Sequence, residues 1–103
     1  MRLSLFISML LIVMNAWAYD GDPDLGKQKI PSCPFCHGGD GIAENPRYPN
    51  LKGQDKGYLL SAMQAYKKGQ RKGPMAEMMQ TQLQRLNNED LNDIAAYYAS
   101  RGE

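Results

Sequence analysis

The segment Cys33-Pro34-Phe35-Cys36-His37 constrains this chain more than any other feature. It contains both cysteines and the single histidine of the 103 residues. A Cys-x-x-Cys-His string is typical of a covalent attachment site for c-type haem. Each thiol can form a thioether with one of the two haem vinyl groups, and the adjoining imidazole can then serve as proximal ligand of the iron. The motif therefore predicts one covalently bound haem c, and with it a function that depends on the iron.

The first 18 residues have the pattern of a removable export signal. Arg2 supplies a positive start, an apolar run extends from Leu3 to Met14, and residues 16–18 read Ala-Trp-Ala, which is a small-x-small cleavage site. The run is short for a membrane span, which needs ~20 residues. We expect cleavage before Tyr19 and no stable membrane insertion of the mature chain, an uncleaved anchor being the alternative.

The mature chain of 85 residues is small for a domain that folds on its core alone. A haem would supply a large apolar body for it to wrap, so the haem-free polypeptide is expected to fold poorly. Without Arg2 the chain has 11 basic and 11 acidic residues, a balance that gives no argument for nucleic-acid binding.

One local cluster of basic residues interrupts this balance. It consists of Lys67, Lys68, Arg71 and Lys72. Such a cluster fits either a solvated helix end or a docking patch for a partner.

Helical signals recur along the chain, and no segment alternates long enough to predict a strand. Asp22 and Pro23 indicate the cap and first residue of a short helix through Lys29. Residues 38–57 are rich in Gly, Pro and Asn, which predicts a long irregular loop. Three later helices are expected: one capped by Asp55 and stopped by Gly69, one over about 75–83, and one opened by a capping box of Asn87 and Asp90.

A second iron ligand from this chain cannot be a histidine, because His37 is the only one. Methionine is the usual partner, a soft thioether that raises the reduction potential. Met63 lies on the apolar stripe of a predicted helix, which favours a core role. Met75, Met78 and Met79 are spaced as one helical face, so each could be core or ligand, and we expect at least one of them to bind iron.

Several further segments make the chain resemble a small class I bacterial cytochrome c. Residues 36–41 read Cys-His-Gly-Gly-Asp-Gly, residues 49–54 read Pro-Asn-Leu-Lys-Gly-Gln, and Tyr58-Leu59 follows. The turn at 69–71, the methionine cluster and the segment from Leu86 to Tyr98 come next in the family's order. The resemblance covers about residues 25–100. Pro31 and Pro34 depart from the family's pattern, and they predict a shorter first helix.

The resemblance implies an all-α class I cytochrome c fold, with short helices and a long loop around one covalent haem. Residues 1–18 would be the signal peptide and residues 19–103 the monohaem domain. The implied function is periplasmic electron transfer, with no enzyme activity of its own. Partners would be redox proteins that dock at the haem edge, and the protein would be a monomer that binds no nucleic acid.

The resemblance also implies roles for individual residues. The family's ligand methionine lies seven residues before the leucine that precedes the last helix, which gives Met79; Met78 and Met75 remain alternatives. The carbonyl group of Pro49 would accept the ring N–H of His37. The remaining candidates for contacts with the haem or its propionates are Gln54, Tyr58 and Arg71.

Two alternatives remain open at this point. The chain could be the haem c subunit of a larger oxidoreductase complex. Cys33-Pro34-Phe35-Cys36 also resembles the active site of a thiol–disulfide oxidoreductase, but that motif requires a βαβ sheet, and no β-branched run precedes it here.

Overall fold

The computed structural model describes residues 19–102, which form an all-α domain. Its five helices are α1 (Pro23–Gln28), α2 (Cys33–His37), α3 (Lys56–Lys67), α4 (Pro74–Leu83) and α5 (Asn88–Ser100). None of the described residues forms a strand, so the predicted fold class is confirmed. Within 19–102 no helix is both long and apolar enough to cross a membrane. The predicted signal peptide, residues 1–18, lies outside the described residues.

The helices begin at the predicted caps. The carboxylate of Asp22 accepts hydrogen bonds from two backbone amides in the first turn of α1, and Asp55 accepts one at 2.9 Å from an amide of α3. Asn87 and Asp90 make both bonds of the capping box, at 2.8 and 2.9 Å. Each cap satisfies amide groups that would otherwise lack a partner at a helix start.

The helix at the haem motif, α2, was not predicted from the sequence. Pro34 occupies its second position, where the missing N–H removes no hydrogen bond of the helix. Gly38 ends it with φ +84°, a conformation that other residues rarely adopt. A Cβ atom there would lie 1.8 Å from the carbonyl oxygen of Ile42. Glycine therefore allows the chain to turn immediately after His37.

Helix α5 forms the centre of the core. Its apolar side chains are buried against residues from α3, α4 and the segment after α1. The core cluster consists of Ile30, Leu59, Met63, Leu83, Leu91, Ile94, Ala95, Tyr97 and Tyr98. Full burial of each large apolar side chain contributes about 1.5–3 kcal/mol. The stability of this small domain thus depends mainly on one helix.

The short helix α1 packs closely on α5 despite its length. Its contact point is Gly26, where a Cβ atom would lie 2.0 Å from the carbonyl oxygen of Asp93 and 2.8 Å from the Cβ atom of Tyr97. Glycine lets the two helix backbones approach to a distance that any side chain would prevent. The shorter first helix predicted from Pro31 and Pro34 is thus present, and it retains tight packing.

A buried carboxylate ties the N-terminal segment to α5. Asp93 has no exposed surface, and it accepts hydrogen bonds from Lys29 Nζ at 2.5 Å, the Asp22 amide at 2.8 Å and the Tyr19 hydroxyl. Burial alone would raise the pKa of Asp93, but Lys29, Tyr19 and the Asp22 amide outweigh it and lower the pKa. Lys29 also contacts Asp90 at 2.8 Å. The negative charge in the core is therefore fully compensated.

The long loop between α2 and α3 is held by backbone hydrogen bonds. The carbonyl group of Gly41 accepts from the amides of Leu51 and Lys52, at 2.7 and 3.1 Å. The amide of Gly53 donates to the carbonyl group of Tyr98 at 2.9 Å, which joins the loop to α5. These bonds fix the position of Pro49, which lies within the loop.

Candidate haem site

The residues singled out in the sequence surround one cavity of about 610 Å³. This volume is within the range of ~300–1,000 Å³ found for sites of organic ligands. Its wall is mostly apolar and is formed by α2, α3, α4, α5 and the long loop. Every predicted site residue lines it: Cys33, Cys36, His37, Pro49, Gln54, Tyr58, Arg71, Met75, Met78 and Met79.

Helix α2 contributes the reactive groups of the motif. Cys33 and Cys36 are three residues apart, so they lie on neighbouring positions of one helix face, and both are half-buried. Both are free thiols, and burial raises the pKa of the Cys33 thiol. Phe35 is 88% exposed and points away from the core. The two thiols are thus presented to the cavity by the helix geometry itself.

His37 is buried, and its ring is fixed by the loop. Its Nδ1 atom lies 2.9 Å from the carbonyl oxygen of Pro49, the contact that the family resemblance implies. Because a carbonyl group can only accept, Nδ1 carries the hydrogen, and Nε2 of the neutral ring keeps a free lone pair. The ring of Tyr48 packs edge-on at 6.3 Å between centroids. The imidazole therefore has a defined orientation and a nitrogen available for a metal.

The three clustered methionines differ in burial although all three line the cavity. Met75 and Met78 are 38% and 51% exposed. Met79 is half-buried and packs against the core cluster. Met63, which the sequence favoured as a core residue, is indeed in the core cluster, and it also lines the cavity.

Polar residues occupy part of the cavity rim. The guanidinium group of Arg71 lies 4.7 Å from the ring centroid of Tyr66 and donates to the Tyr66 hydroxyl at 3.2 Å. Hydrogen bonds to Tyr66 and then Tyr58 raise the pKa of Arg71, so it stays charged at the rim. Tyr58 is half exposed, at 52%. A positive charge held here suits an anionic group at the mouth of the cavity.

Much of the basic cluster is engaged in local contacts. Lys67 donates to the carbonyl group of Leu86, and Lys72 donates to that of Gly69 at 2.9 Å. Lysines that satisfy carbonyl groups near helix ends behave as caps. These contacts favour the interpretation as a helix end over that of a docking patch.

Sequence reasoning missed the buried hydroxyl group of Tyr98. It recognised Tyr98 as part of the apolar stripe of α5, which is correct, since the residue is 1% exposed. The hydroxyl group, however, has no hydrogen-bond partner among residues 19–102. Tyr98 also lines the cavity. The sequence did offer a signal for this: a tyrosine on an otherwise apolar helix stripe brings a polar hydroxyl group into the core.

These observations define a class of protein. Two thiols and an imidazole from one helix, an apolar cavity, and methionine thioethers from another helix are groups that could hold a covalently attached haem. The cavity wall also holds one buried polar group, the Tyr98 hydroxyl, which has no hydrogen-bond partner among residues 19–102. The residues present therefore fit a haem c. A thiol–disulfide enzyme is not favoured, because its active site requires a β-sheet and none of the described residues forms a strand.

Comparison with known proteins gives the family. The cytochrome c family profile matches residues 23–101, and the chain belongs to this family as a class I bacterial cytochrome c. It is 51% identical over 81 residues to cytochrome c-554(548) of Halomonas halodenitrificans. The aligned region covers 79% of this chain and 98% of that protein. It is 40% identical over 99 residues to cytochrome c4 of Pseudomonas aeruginosa, covering 94% of this chain and 48% of that protein.

A solved structure shows the same fold. The reduced recombinant cytochrome c4 of Pseudomonas stutzeri matches with a TM-score of 0.72 at 38% identity, over 79% of this chain and 46% of that one. The chain thus spans about half the length of the cytochrome c4 relatives it matches. The protein is a haem c electron carrier with a covalently bound haem, as the sequence predicted.

Proposed function

We propose that the protein is a periplasmic carrier of single electrons whose haem c is attached through Cys33 and Cys36 and ligated by His37 and Met79. The observation that carries this proposal is convergence on one cavity. Thiols and imidazole from α2, and the thioether from α4, lie far apart in the sequence and line the same space. When bound, the haem supplies a one-electron Fe(III)/Fe(II) couple.

Cys33 and Cys36 provide the covalent attachment. Each thiol adds across one vinyl group: the S–H bond and the vinyl π bond break, while an S–C bond and a C–H bond form. The addition is redox-neutral and needs no external oxidant. Because Cys33 and Cys36 lie about one helical turn apart, the two residues would hold the haem at two points of one helix face.

His37 is proposed as the proximal ligand through Nε2. The hydrogen bond from Nδ1–H to the Pro49 carbonyl group, at 2.9 Å, holds the tautomer in which Nε2 is free. It also makes the imidazole a stronger electron donor. The loop that carries Pro49 is bonded to α5 through Gly53, so the ring orientation is supported by the core.

Met79 is proposed as the second axial ligand. It is the most buried of the three clustered methionines and packs against the core, whereas Met75 and Met78 are 38% and 51% exposed. A ligand held by packing gives little rearrangement when the iron changes oxidation state. A thioether favours the ferrous form and so raises the potential.

Partners are proposed to be redox proteins that dock briefly at the exposed haem edge. Electron transfer needs no substrate pocket, and weak encounter interfaces bury less than ~1,200 Å². Gln54, Tyr58 and Arg71 are proposed to contact the haem or its propionates at the rim. We propose a freely diffusing monomer, with the haem c subunit of a larger oxidoreductase complex as the alternative.

The periplasmic location rests on the N-terminal sequence. Residues 1–18 are proposed to be a signal peptide, since their charge, apolar run and Ala-Trp-Ala ending fit one. Tyr19 would then begin the mature chain, and its hydroxyl group is bonded to Asp93. The mature N-terminus would thus be tethered to α5 from its first residue.

The proposal is tested by expressing the chain with a c-haem maturation system and measuring its intact mass. One haem should be added to a chain that starts at Tyr19. Replacing Cys33 and Cys36 together by Ser should remove the covalent haem. A colourless wild-type protein with two free thiols would refute the proposal.

The axial ligand is tested by the variants Met79→Ala, Met78→Ala and Met75→Ala. We expect only Met79→Ala to abolish the sulfur-to-iron charge-transfer absorption and to lower the reduction potential. The other two serve as matched controls within the same helix. Loss of the band in Met78→Ala or Met75→Ala instead would move the ligand to that residue.

A further inference from the structure

Tyr98 places a buried hydrogen-bond donor in the wall of the cavity. The residue is 1% exposed, and its hydroxyl group has no partner within the described part of the chain. An unsatisfied buried hydroxyl group destabilises a fold about tenfold or more in the folding equilibrium. A phenylalanine would avoid this cost. The hydroxyl group is therefore expected to gain a partner when the cavity is filled.

The hydroxyl group cannot easily turn elsewhere, because the residue is held on several sides. Its carbonyl group accepts from the Gly53 amide at 2.9 Å and from the Arg101 amide at 3.2 Å. Its ring packs edge-on against Tyr97 at 5.1 Å between centroids. A Cβ atom added at Gly41 would lie 3.0 Å from the ring, which shows how closely the loop covers it. The Tyr98 ring is thus held in place by its neighbours.

The candidate acceptor for this hydroxyl group is the sulfur of Cys33, which lies in the same cavity wall. Both residues line the cavity, and Cys33 packs against the core cluster to which Tyr98 belongs. Their mutual influence agrees with this proximity: burial and the neighbouring Cys33 raise the pKa of Tyr98. The phenol therefore remains protonated, and so a donor, across the working pH range.

We propose that Tyr98 is a positioning residue, whose hydroxyl group donates a hydrogen bond to the Cys33 sulfur after that sulfur has become a thioether. The proposal rests on the attachment through Cys33 proposed above. A thioether sulfur has no hydrogen and can only accept, so the bond has one direction. It fixes the rotamer of the first attachment point. It also directs the positive end of an O–H dipole toward the haem periphery.

Two measurable effects follow from this bond. Its loss should destabilise the haem-loaded protein, although a sulfur acceptor is weak. Its dipole should also stabilise the electron-rich ferrous state, because dipoles act strongly in a buried site of low dielectric constant. Removing the hydroxyl group should therefore lower the reduction potential, which a purely structural role would not require.

The test compares Tyr98→Phe with Tyr97→Phe in the haem-loaded protein. Tyr97 is the adjacent tyrosine of α5 and does not line the cavity, so it is a matched control. We expect Tyr98→Phe to carry one haem by mass, to unfold with an equilibrium constant about threefold to tenfold larger, and to shift the equilibrium with a redox dye about threefold toward the oxidised form. Tyr97→Phe should leave the redox equilibrium unchanged.

To test whether the Cys33 sulfur accepts this hydrogen bond, Tyr98→Phe is combined with Cys33→Ala. The Cys33→Ala chain retains haem attachment through Cys36. In that background Tyr98→Phe should have no further effect on the potential, since its partner is gone. Should a variant fail to load, proton NMR of the reduced wild type decides the question. It should show a slowly exchanging phenolic proton close to the Cβ protons of Cys33.

Three results would overturn the proposal: an unchanged potential and stability in Tyr98→Phe, an undiminished effect in the Cys33→Ala background, or a phenolic proton near a haem carboxylate instead of Cys33. Each leaves covalent haem attachment intact, because the mass of the wild-type protein is measured separately. Absence of haem from the wild type would instead refute the proposed function.

Discussion

Replacing Asp93 by Asn should destabilise the folded protein through the loss of one buried charge. The carboxylate accepts from Lys29, the Asp22 amide and Tyr19, and it has no exposed surface. Breaking a buried ion pair costs about 3–5 kcal/mol. In the variant Lys29 still has an ion-pair partner, Asp90 at 2.8 Å. We therefore expect a loss at the lower end of that range, about 3 kcal/mol. In a domain of this size that lowers the Tm by roughly 12–24 °C.

The pH dependence of this effect identifies the charge as its cause. The pKa of Asp93 is lowered from its ordinary value of 3.8, so the folded state favours the ionised carboxylate. The stabilisation is therefore present above the unfolded pKa and is lost as the pH falls through the folded one. The pKa of Tyr19 is raised to about 12, chiefly by its hydrogen bond to Asp93, so the phenol stays neutral up to high pH. The difference between wild type and Asp93→Asn should be constant from about pH 5 to 9 and shrink below about pH 4.

Urea unfolding of the haem-loaded proteins, followed by circular dichroism over this pH range, measures the difference. Asp20→Asn is the matched control, because Asp20 also pairs with a lysine, Lys56 at 2.8 Å, but its side chain is 93% exposed. Exposed pairs contribute little. The reasoning is refuted if Asp93→Asn loses no more stability than Asp20→Asn, or if its loss does not change below pH 4.

Two other substitutions test the packing and capping of α5. Gly26→Ala would force a Cβ atom to within 2.0 Å of the Asp93 carbonyl oxygen, so we expect a loss of at least about 2 kcal/mol in the free energy of unfolding. Gly39→Ala, with no atom within 4 Å, is the control, and equal losses would contradict the close contact. Asn87→Ala removes the acceptor for the Asp90 amide and should cost about 1 kcal/mol, measured by the same unfolding curves. An unchanged midpoint would mean that the capping box does not contribute.

The sequence predicted the parts of the fold that depend on neighbouring residues. Caps at Asp22, Asp55 and Asn87 are local hydrogen bonds, so their residue types and spacing were sufficient. The long loop was predicted over 38–57 from its Gly, Pro and Asn content, and it occupies the residues between His37 and Lys56. Helix α2 was missed because Pro34 is a helix breaker in most positions but is neutral in the first turn.

Features that depend on distant residues could not be read from the sequence. The acceptor role of Asp93 becomes visible only when Lys29 and Tyr19 are brought to α5 from more than sixty positions away. The motif predicted the cavity's chemistry, and the family resemblance supplied Pro49 as a neighbour of His37. The difference in burial between Met79 and its neighbours came only from the structure, since their spacing alone fits a single helical face.

The location of the core in α5 has a consequence for the order of biogenesis. During synthesis residues 33–37 emerge well before residues 88–100, and until then α1 and α3 lack α5, the helix against which both of them pack. Premature folding therefore cannot hide the two thiols. The core cannot close over the two thiols before its final helix is made, so haem attachment can precede collapse instead of competing with it.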